Sequence, residues 1–308
     1  MLIEHALFIV FLQEKLIEQY YKPNLMNLIK NWILPLIIAL ALVFIFRWLL
    51  FDFIIVSNKQ MGNTFKKGDL VLIQKSGKIR YNSIVLFNTS KTSYSNTALS
   101  RCIGLPGDTL HIKNSKVFIN RKELKVKVSH REKITAHYVF YTDSSKVQAN
   151  FAANDIPFNH KLAAFGVYSF NSDREKINRL NELTIWNKKQ KPITPKGLYS
   201  DKTAPFNTHF YWNTDNLGPM VIPSANSTIR LSRASFKLYK RIILQETGGS
   251  YHLKGNKVYL EEQIVKNYTF KYDYYFVLND NRLNYNDSRS FGFIRREEIS
   301  GKFIIKLF

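Results

Sequence analysis

From Ile33 to Phe51 every side chain except Arg47 is apolar. At about 1.5 Å per helical residue the run covers roughly 28 Å, close to the hydrocarbon core of a bilayer. Trp32 and Trp48 bracket it at interfacial positions, and Arg47 lies near the far end, where its head group can snorkel. Pro35 falls in the first turn, where a missing N–H is tolerated. The run starts only at residue 33 and no small-x-small cleavage site follows, which argues against a removed leader. The pattern predicts a retained transmembrane anchor over residues 33–51. Residues 2–12 are also apolar, but Glu4 and His5 interrupt a stretch too short to span, so an interfacial helix is expected there.

After the anchor the hydrophobic period becomes that of strands. Asp69–Lys75 and Ser83–Asn88 are short β-branched runs bounded by Gly, Asn and Lys. Thr109–Leu124 alternates through Leu110, Ile112, Val117 and Ile119 around the polar break Lys113-Asn114-Ser115-Lys116, a hairpin signal. Residues 125–200 are more polar, with breakers at Asn154-Asp155-Ile156-Pro157 and around Pro192 and Pro195. Within them a short helix is expected over Ser172–Trp186, begun by Ser172 or Asp173. No internal repeat stands out.

Charge adds one constraint. The 308 residues carry 45 Lys and Arg against 23 Asp and Glu, a net charge of +22 spread along the chain. No helix-turn-helix, zinc or RNP pattern accompanies it, so no nucleic-acid partner is expected. A domain held against anionic membrane lipid and a generally lysine-rich composition both remain as readings. Flanking charge does not orient the anchor: Lys15, Lys22 and Lys30 precede it, while Lys59, Lys66 and Lys67 follow. Cys102 is the single cysteine, so no internal disulfide forms, and its apolar surroundings predict a packed thiol. His111, His130 and His137 have no spacing that suggests a triad or a metal cage; no metal or cofactor is expected.

Three blocks carry a resemblance. Residues 98–109 read Ala-Leu-Ser-Arg-Cys-Ile-Gly-Leu-Pro-Gly-Asp-Thr; residues 53–65 read Phe-Ile-Ile-Val-Ser-Asn-Lys-Gln-Met-Gly-Asn-Thr-Phe. Asn279-Asp280-Asn281-Arg282 and Asn286-Asp287-Ser288-Arg289 close the series. In order and spacing they resemble the blocks of the type I signal peptidases, which end in Gly-Asp-Asn-Arg and Asp-Ser-Arg. Trp212–Pro223 resembles a segment of the long-insert members from diderm bacteria. The resemblance implies a mainly β fold, with an antiparallel β core, an inserted β-rich cap and one preceding transmembrane helix. It implies an N-terminal cytoplasmic or interfacial segment over 1–32 and the anchor over 33–51. The core follows at 52–124, the cap at 125–270 and the rest of the core at 271–308. It also places the C-terminal domain in the periplasm, anchored to the inner membrane.

That family cuts with a serine hydroxyl and a neutral lysine whose pKa is lowered by burial. Here Gln60 stands at the nucleophile position and Ser100 at the general-base position. Asn58 replaces the oxyanion serine, Asn63 the proline that follows the nucleophile, and Tyr285 the serine that orients the lysine. Arg101, Asp280, Arg282, Asp287 and Arg289 match the charged frame beneath the site. Phe51, Phe53, Ile54, Met61 and Phe65 are expected to form an apolar surface at the bilayer. With 53–61 extended, Lys59 would aim away from the pocket lined by Gln60, so a relocated dyad is disfavoured. Gln60 and Ser100 are sized to hydrogen-bond each other. The expectation is a homologue lacking the dyad, binding signal peptides, an active paralogue or secretion machinery without cutting. An active signal peptidase and an envelope scaffold with a filled groove are the alternatives.

Overall fold

The computed structural model describes residues 8–15, 29–62, 64–88, 97–126, 135–141, 161–164, 167–173, 188–190 and 194–308. The chain divides into two compact units, Met1–Asp52 and Phe53–Phe308. In the first, residues 8–15 are helical, while Glu4 and His5 lie outside the described residues. A π-turn at Ile29–Ile33 leads into α1 (Leu34–Leu50), with Pro35 at its start. Ile29–Leu50 is 22 residues long with mean hydropathy 2.6, and none of it is buried within the protein. By length and composition this helix is a candidate to cross a membrane. It starts earlier than the apolar run because Lys30 and Asn31 join the first turn, and it stops at Leu50. Phe51 is extended, its N–H donating to the Arg47 carbonyl.

The strands begin with β1 (Phe51–Ile55), β2 (Leu70–Gln74), β3 (Ile84–Asn88) and β4 (Thr97–Gly104). Then come β5 (Thr109–Lys113), β6 (Lys116–Ile119) and β7 (Lys122–Glu123). Two-residue loops join these last three, Asn114-Ser115 and Asn120-Arg121, all at positive φ. Positive φ at both loop positions gives the twist that a tight hairpin needs. The hairpin expected at 109–124 is thus present.

β8 (Thr135–Tyr141), β9 (Lys161–Ala164), β10 (Val167–Asp173) and β11 (Lys188–Gln190) form a separate sheet in the order β11-β8-β10-β9. Ser172 and Asp173 do not start a helix. They pair with Ala136 and Thr135, so a strand ladder takes the backbone groups that a cap would have used. The rest of the expected helix, 174–186, lies outside the described residues.

Next are β12 (Leu217–Val221), which adds to β5 at the edge of the hairpin sheet, and β13 (Thr228–Arg230). A helix that the strand pattern did not suggest follows: α2 (Arg233–Thr247). Ser232 and Ser235 form a reciprocal capping box, and Gly248 ends the helix at φ 73°. Its inner stripe is Phe236, Tyr239, Ile242, Ile243 and Glu246. Glu246 is tolerated inside because it accepts from Tyr268 (2.6 Å), Tyr274 (2.7 Å) and the Lys271 N–H (2.9 Å). Burial and that carboxylate push both phenols well above their usual range.

The chain finishes with β14 (Tyr251–Lys254), β15 (Lys257–Leu260), β16 (Gln263–Ile264), β17 (Asn267–Thr269), β18 (Tyr274–Leu278), the short α3 (Ser288–Phe291), β19 (Ile294–Arg295) and β20 (Ile299–Lys306). The principal sheet has seven strands in the order β1-β2-β20-β3-β4-β18-β19. The fold is mainly β, as expected. Alternation along its central strands divides their side chains between cores. Tyr274, Phe276 and Leu278 pack with the α2 stripe, while Tyr275 and Val277 pack with Val85, Phe87 and Cys102. Ile84 and Leu86 face a third cluster with Met61 and Phe65.

Met61 and Phe65 are therefore core residues and not bilayer-facing ones, at 1% and 3% exposure. The turn that carries them folds back over β2 and β3 and buries both. Phe53 and Ile55 are the exposed apolar residues of this segment.

Gly301 sits where β20 runs between β2 and β3, and a Cβ there would lie 2.5 Å from the Gln74 carbonyl oxygen. Gly301→Ala should destabilise residues 53–308 by about 1–3 kcal/mol, the usual range for overpacking. Urea unfolding checks this; an unchanged midpoint would mean that the strands part at no cost.

Candidate functional site

The site is built around Arg101. On β4 it is 2% exposed, and a guanidinium so buried needs a partner held in place. Asp280, just past the end of β18, supplies one. Arg101 Nε donates to Asp280 Oδ1 at 2.8 Å and Nη2 to Oδ2 at 2.6 Å, while Nη1 reaches the Asn82 carbonyl at 2.9 Å. Thr64 adds a third donor to the carboxylate at 2.6 Å.

Its neighbours extend the clamp. Asn279 Oδ1 accepts from Ser100 Oγ at 2.6 Å, and the Asn281 N–H donates to the Gln60 carbonyl at 3.1 Å. Three consecutive residues thus tie β4, the 58–62 turn and Thr64 to one loop. The loop is itself fixed by Asp287, which accepts from the Asn279 N–H at 3.0 Å and from Arg289 through both its oxygens. Arg289 reaches on to the carbonyls of Arg282 and Asn284. Burial and the Arg289 charge lower the Arg282 pKa to about 10, with Asp280 and Asp287 opposing; Arg282 stays charged at neutral pH.

Ser100 has no exposed surface. The Asn279 amide nitrogen faces two carbonyls, of Asn284 (3.1 Å) and Asn286 (3.2 Å). Its oxygen therefore faces Ser100, and the serine proton points at an amide, which cannot act as a base. The expected Gln60–Ser100 bond is not made, because Asn279 takes the hydroxyl. Gln60 is buried, with Oε1 unpartnered among the described residues. Its backbone N–H donates to Asn58 Oδ1 at 3.1 Å. The amide that an oxyanion hole would use is thus occupied within its own turn.

Residues 53–61 are not extended throughout. β1 stops at Ile55 and a turn covers 58–62, closed by Gly62 N–H on the Lys59 carbonyl. The turn still exposes Lys59 while burying Gln60. Asn63 lies outside the described residues. Tyr285 is half-exposed, with its ring 4.7 Å from the Arg289 guanidinium carbon.

The Gly104–Asp108 turn is more than a turn. Asp108 caps the Leu105 N–H and accepts from Tyr81 and Asn120, so it joins three elements. Burial, then Asp108, pushes the Tyr81 phenol up to about 12. Cys102 has no exposed surface, and burial pushes its thiol up to about 12, as befits a packed residue. Among the described residues no group of three or more His, Cys, Asp or Glu is placed to hold a metal. His111 is half-buried on β5; burial, then Lys113 and Lys196, lowers its pKa. His130 lies outside the described residues, as do the surroundings of the His137 side chain.

The family model described as "Signal peptidase, peptidase S26" matches residues 29–199 and 237–308, which include this frame. The chain belongs to the S26 signal peptidase family. "Signal peptidase I P" of Bacillus subtilis subsp. natto is 35% identical over 126 residues, 39% of this chain and 64% of that protein. "Signal peptidase I" of Bacillus amyloliquefaciens is 35% identical over 100 residues, covering 30% of this chain and 50% of that relative. A second B. amyloliquefaciens "Signal peptidase I" is 26% identical over 190 residues, 60% of this chain and 94% of its own length. The chain spans about half to two-thirds of the first two. The matched residues include Arg101, Asp280, Asp287 and Arg289. Asn279 is read from the sequence only as part of the Asn279–Arg282 block; its contact with Ser100 is what sequence reasoning missed.

Two stability measurements on residues 53–308 test this site. Asp280→Asn should cost about 3–5 kcal/mol by leaving Arg101 buried without its charge partner. Ser100→Lys should also destabilise, and Asn279→Gly should relieve part of that loss by vacating the adjoining space. The expected coupling is about 0.5–3 kcal/mol. Additive effects of the two changes would show that they do not compete for one space.

Proposed function

We propose that this protein is a membrane-anchored signal peptidase I homologue of the long-insert type in which the nucleophile and base positions are occupied by Gln60 and Ser100. In this reading it does not cleave, and it serves as a binding or accessory subunit of protein secretion at the inner membrane. The domain after the anchor faces the periplasm. The observation that carries the reading is the Ser100–Asn279 hydrogen bond, fully buried and with the serine as donor. Hydrolysis needs a nucleophile, a group to take its proton and free donors for the oxyanion. Gln60 has no hydroxyl to attack with, Ser100 has an amide where a base would be, and the Gln60 N–H is engaged by Asn58.

Candidate partners are signal peptides, an active paralogue, secretion machinery and, given the +22 charge, anionic lipid. Burial of both Gln60 and Ser100 favours the version in which the former groove is closed here and contacts are made elsewhere. The opposing reading, an active signal peptidase, draws on the names of the relatives.

Incubation of the purified full-length chain with a precursor bearing an Ala-x-Ala junction should give no cleavage above a mock preparation. Cleavage that is lost on substituting a site residue would overturn the proposal. Retention of the uncut signal peptide would favour a binding subunit, and its absence the filled-groove scaffold.

A further inference from the structure

Away from Gln60 and Ser100 the second unit holds a cavity of about 670 Å³ between α2, the 204–207 loop and residues 288–293. Sites that bury a small molecule span roughly 300–1,000 Å³. Met220, Leu238, Phe276 and Phe293 give it an apolar interior. Its charged lining residues are all basic: Lys237, Lys240 and Arg241, which share one face of α2, with no carboxylate among the lining residues. Arg241 donates to the Phe291 carbonyl, and burial lowers its pKa, with Glu298 opposing. Glu298 in turn accepts from the Arg295 N–H.

An apolar interior whose charged lining residues are three bases selects an amphiphile with an anionic head. A peptide would bring backbone N–H and C=O groups needing partners. The uncharged polar lining side chains are Asn207, Gln245 and Ser288, and Asn207 Oδ1 and Ser288 Oγ already accept from the His209 and Val277 N–H groups. The volume suits one acyl chain better than two on a glycerol head. The same chain carries an apolar span, Ile29–Leu50, and so works beside lipid.

We propose that this cavity binds a long-chain carboxylate, its acyl chain against Leu238, Met220 and Phe276 and its carboxylate among Lys237, Lys240 and Arg241. The assignment does not depend on whether the protein cleaves.

The test is photo-labelling of the full-length chain in phosphatidylcholine nanodiscs with a diazirine-bearing palmitate, adducts being mapped by peptide mass spectrometry. Adducts are expected in 204–207, 237–249 and 288–293, and should be removed by excess palmitate but not by hexadecanol. Lys237→Gln with Arg241→Gln should reduce cavity labelling about tenfold or more, the loss expected for hydrogen bonds to a charged group. Leu238→Trp should block it by filling the space, with both variants checked for unchanged thermal unfolding. Adducts confined to 29–50, equal competition by hexadecanol, or full labelling of the folded variants would overturn the proposal. Cavity labelling by a diazirine phosphatidylglycerol and not by palmitate would overturn the single-chain assignment.

Discussion

The buried ion pair between Arg101 and Asp280 is the constraint on which the arrangement rests. The two charges lie far apart in sequence, on β4 and just beyond β18, and both are nearly or fully buried. Neither could be buried alone, since an unpaired interior charge is strongly unfavourable. Pairing them fixes the loop after β18 against β4, and Thr64, just past the 58–62 turn, joins the same carboxylate. Everything that happens at Ser100 and Gln60 is decided by where this loop is held.

Given that loop, Asn279 must meet β4, because it is the neighbour of Asp280 and its own N–H is held by Asp287. Its carboxamide satisfies Ser100 on one side and the Asn284 and Asn286 carbonyls on the other. Such a neutral, fully satisfied contact carries none of the desolvation cost of a buried lysine, whose charge burial opposes. On the reading proposed above, positions 100 and 279 hold a neutral hydrogen-bonded pair where the chemistry would need a buried base. Active centres commonly sacrifice stability for chemistry, and loss of the chemistry removes that constraint.

What could be read from the sequence was what repeats or what is uniform. The anchor is a run of one polarity, the hairpin at 109–124 alternates around Asn114-Ser115, and the charged frame keeps its spacing. The missed features turn on tertiary competition. The α2 helix carries its caps openly, at Ser232 and Gly248, but its apolar stripe is short and holds Glu246, in a region otherwise made of short strands. Ser172 has the chemistry of a cap, yet pairing with β8 took its backbone. Met61 and Phe65 sit beside an anchor in sequence, and only the turn at 58–62 shows that they face inward.

The site itself was half legible for the same reason. Motif positions name the residues that stand where the chemistry would be; they do not say which neighbour each one meets. Gln60 and Ser100 were matched by size, as if the pocket between them were otherwise empty. A side chain at 279 changes that, because Ser100 has one proton to donate and Asn279 holds an acceptor at 2.6 Å. Tyr285 likewise meets a partner that its motif position does not name, the Arg289 guanidinium 4.7 Å from its ring. In both cases the deciding partner belongs to the loop that Asp280 and Asp287 hold. The position of each residue in the chain can be read beforehand; the hydrogen bonding of this loop determines which chemistry the site can support.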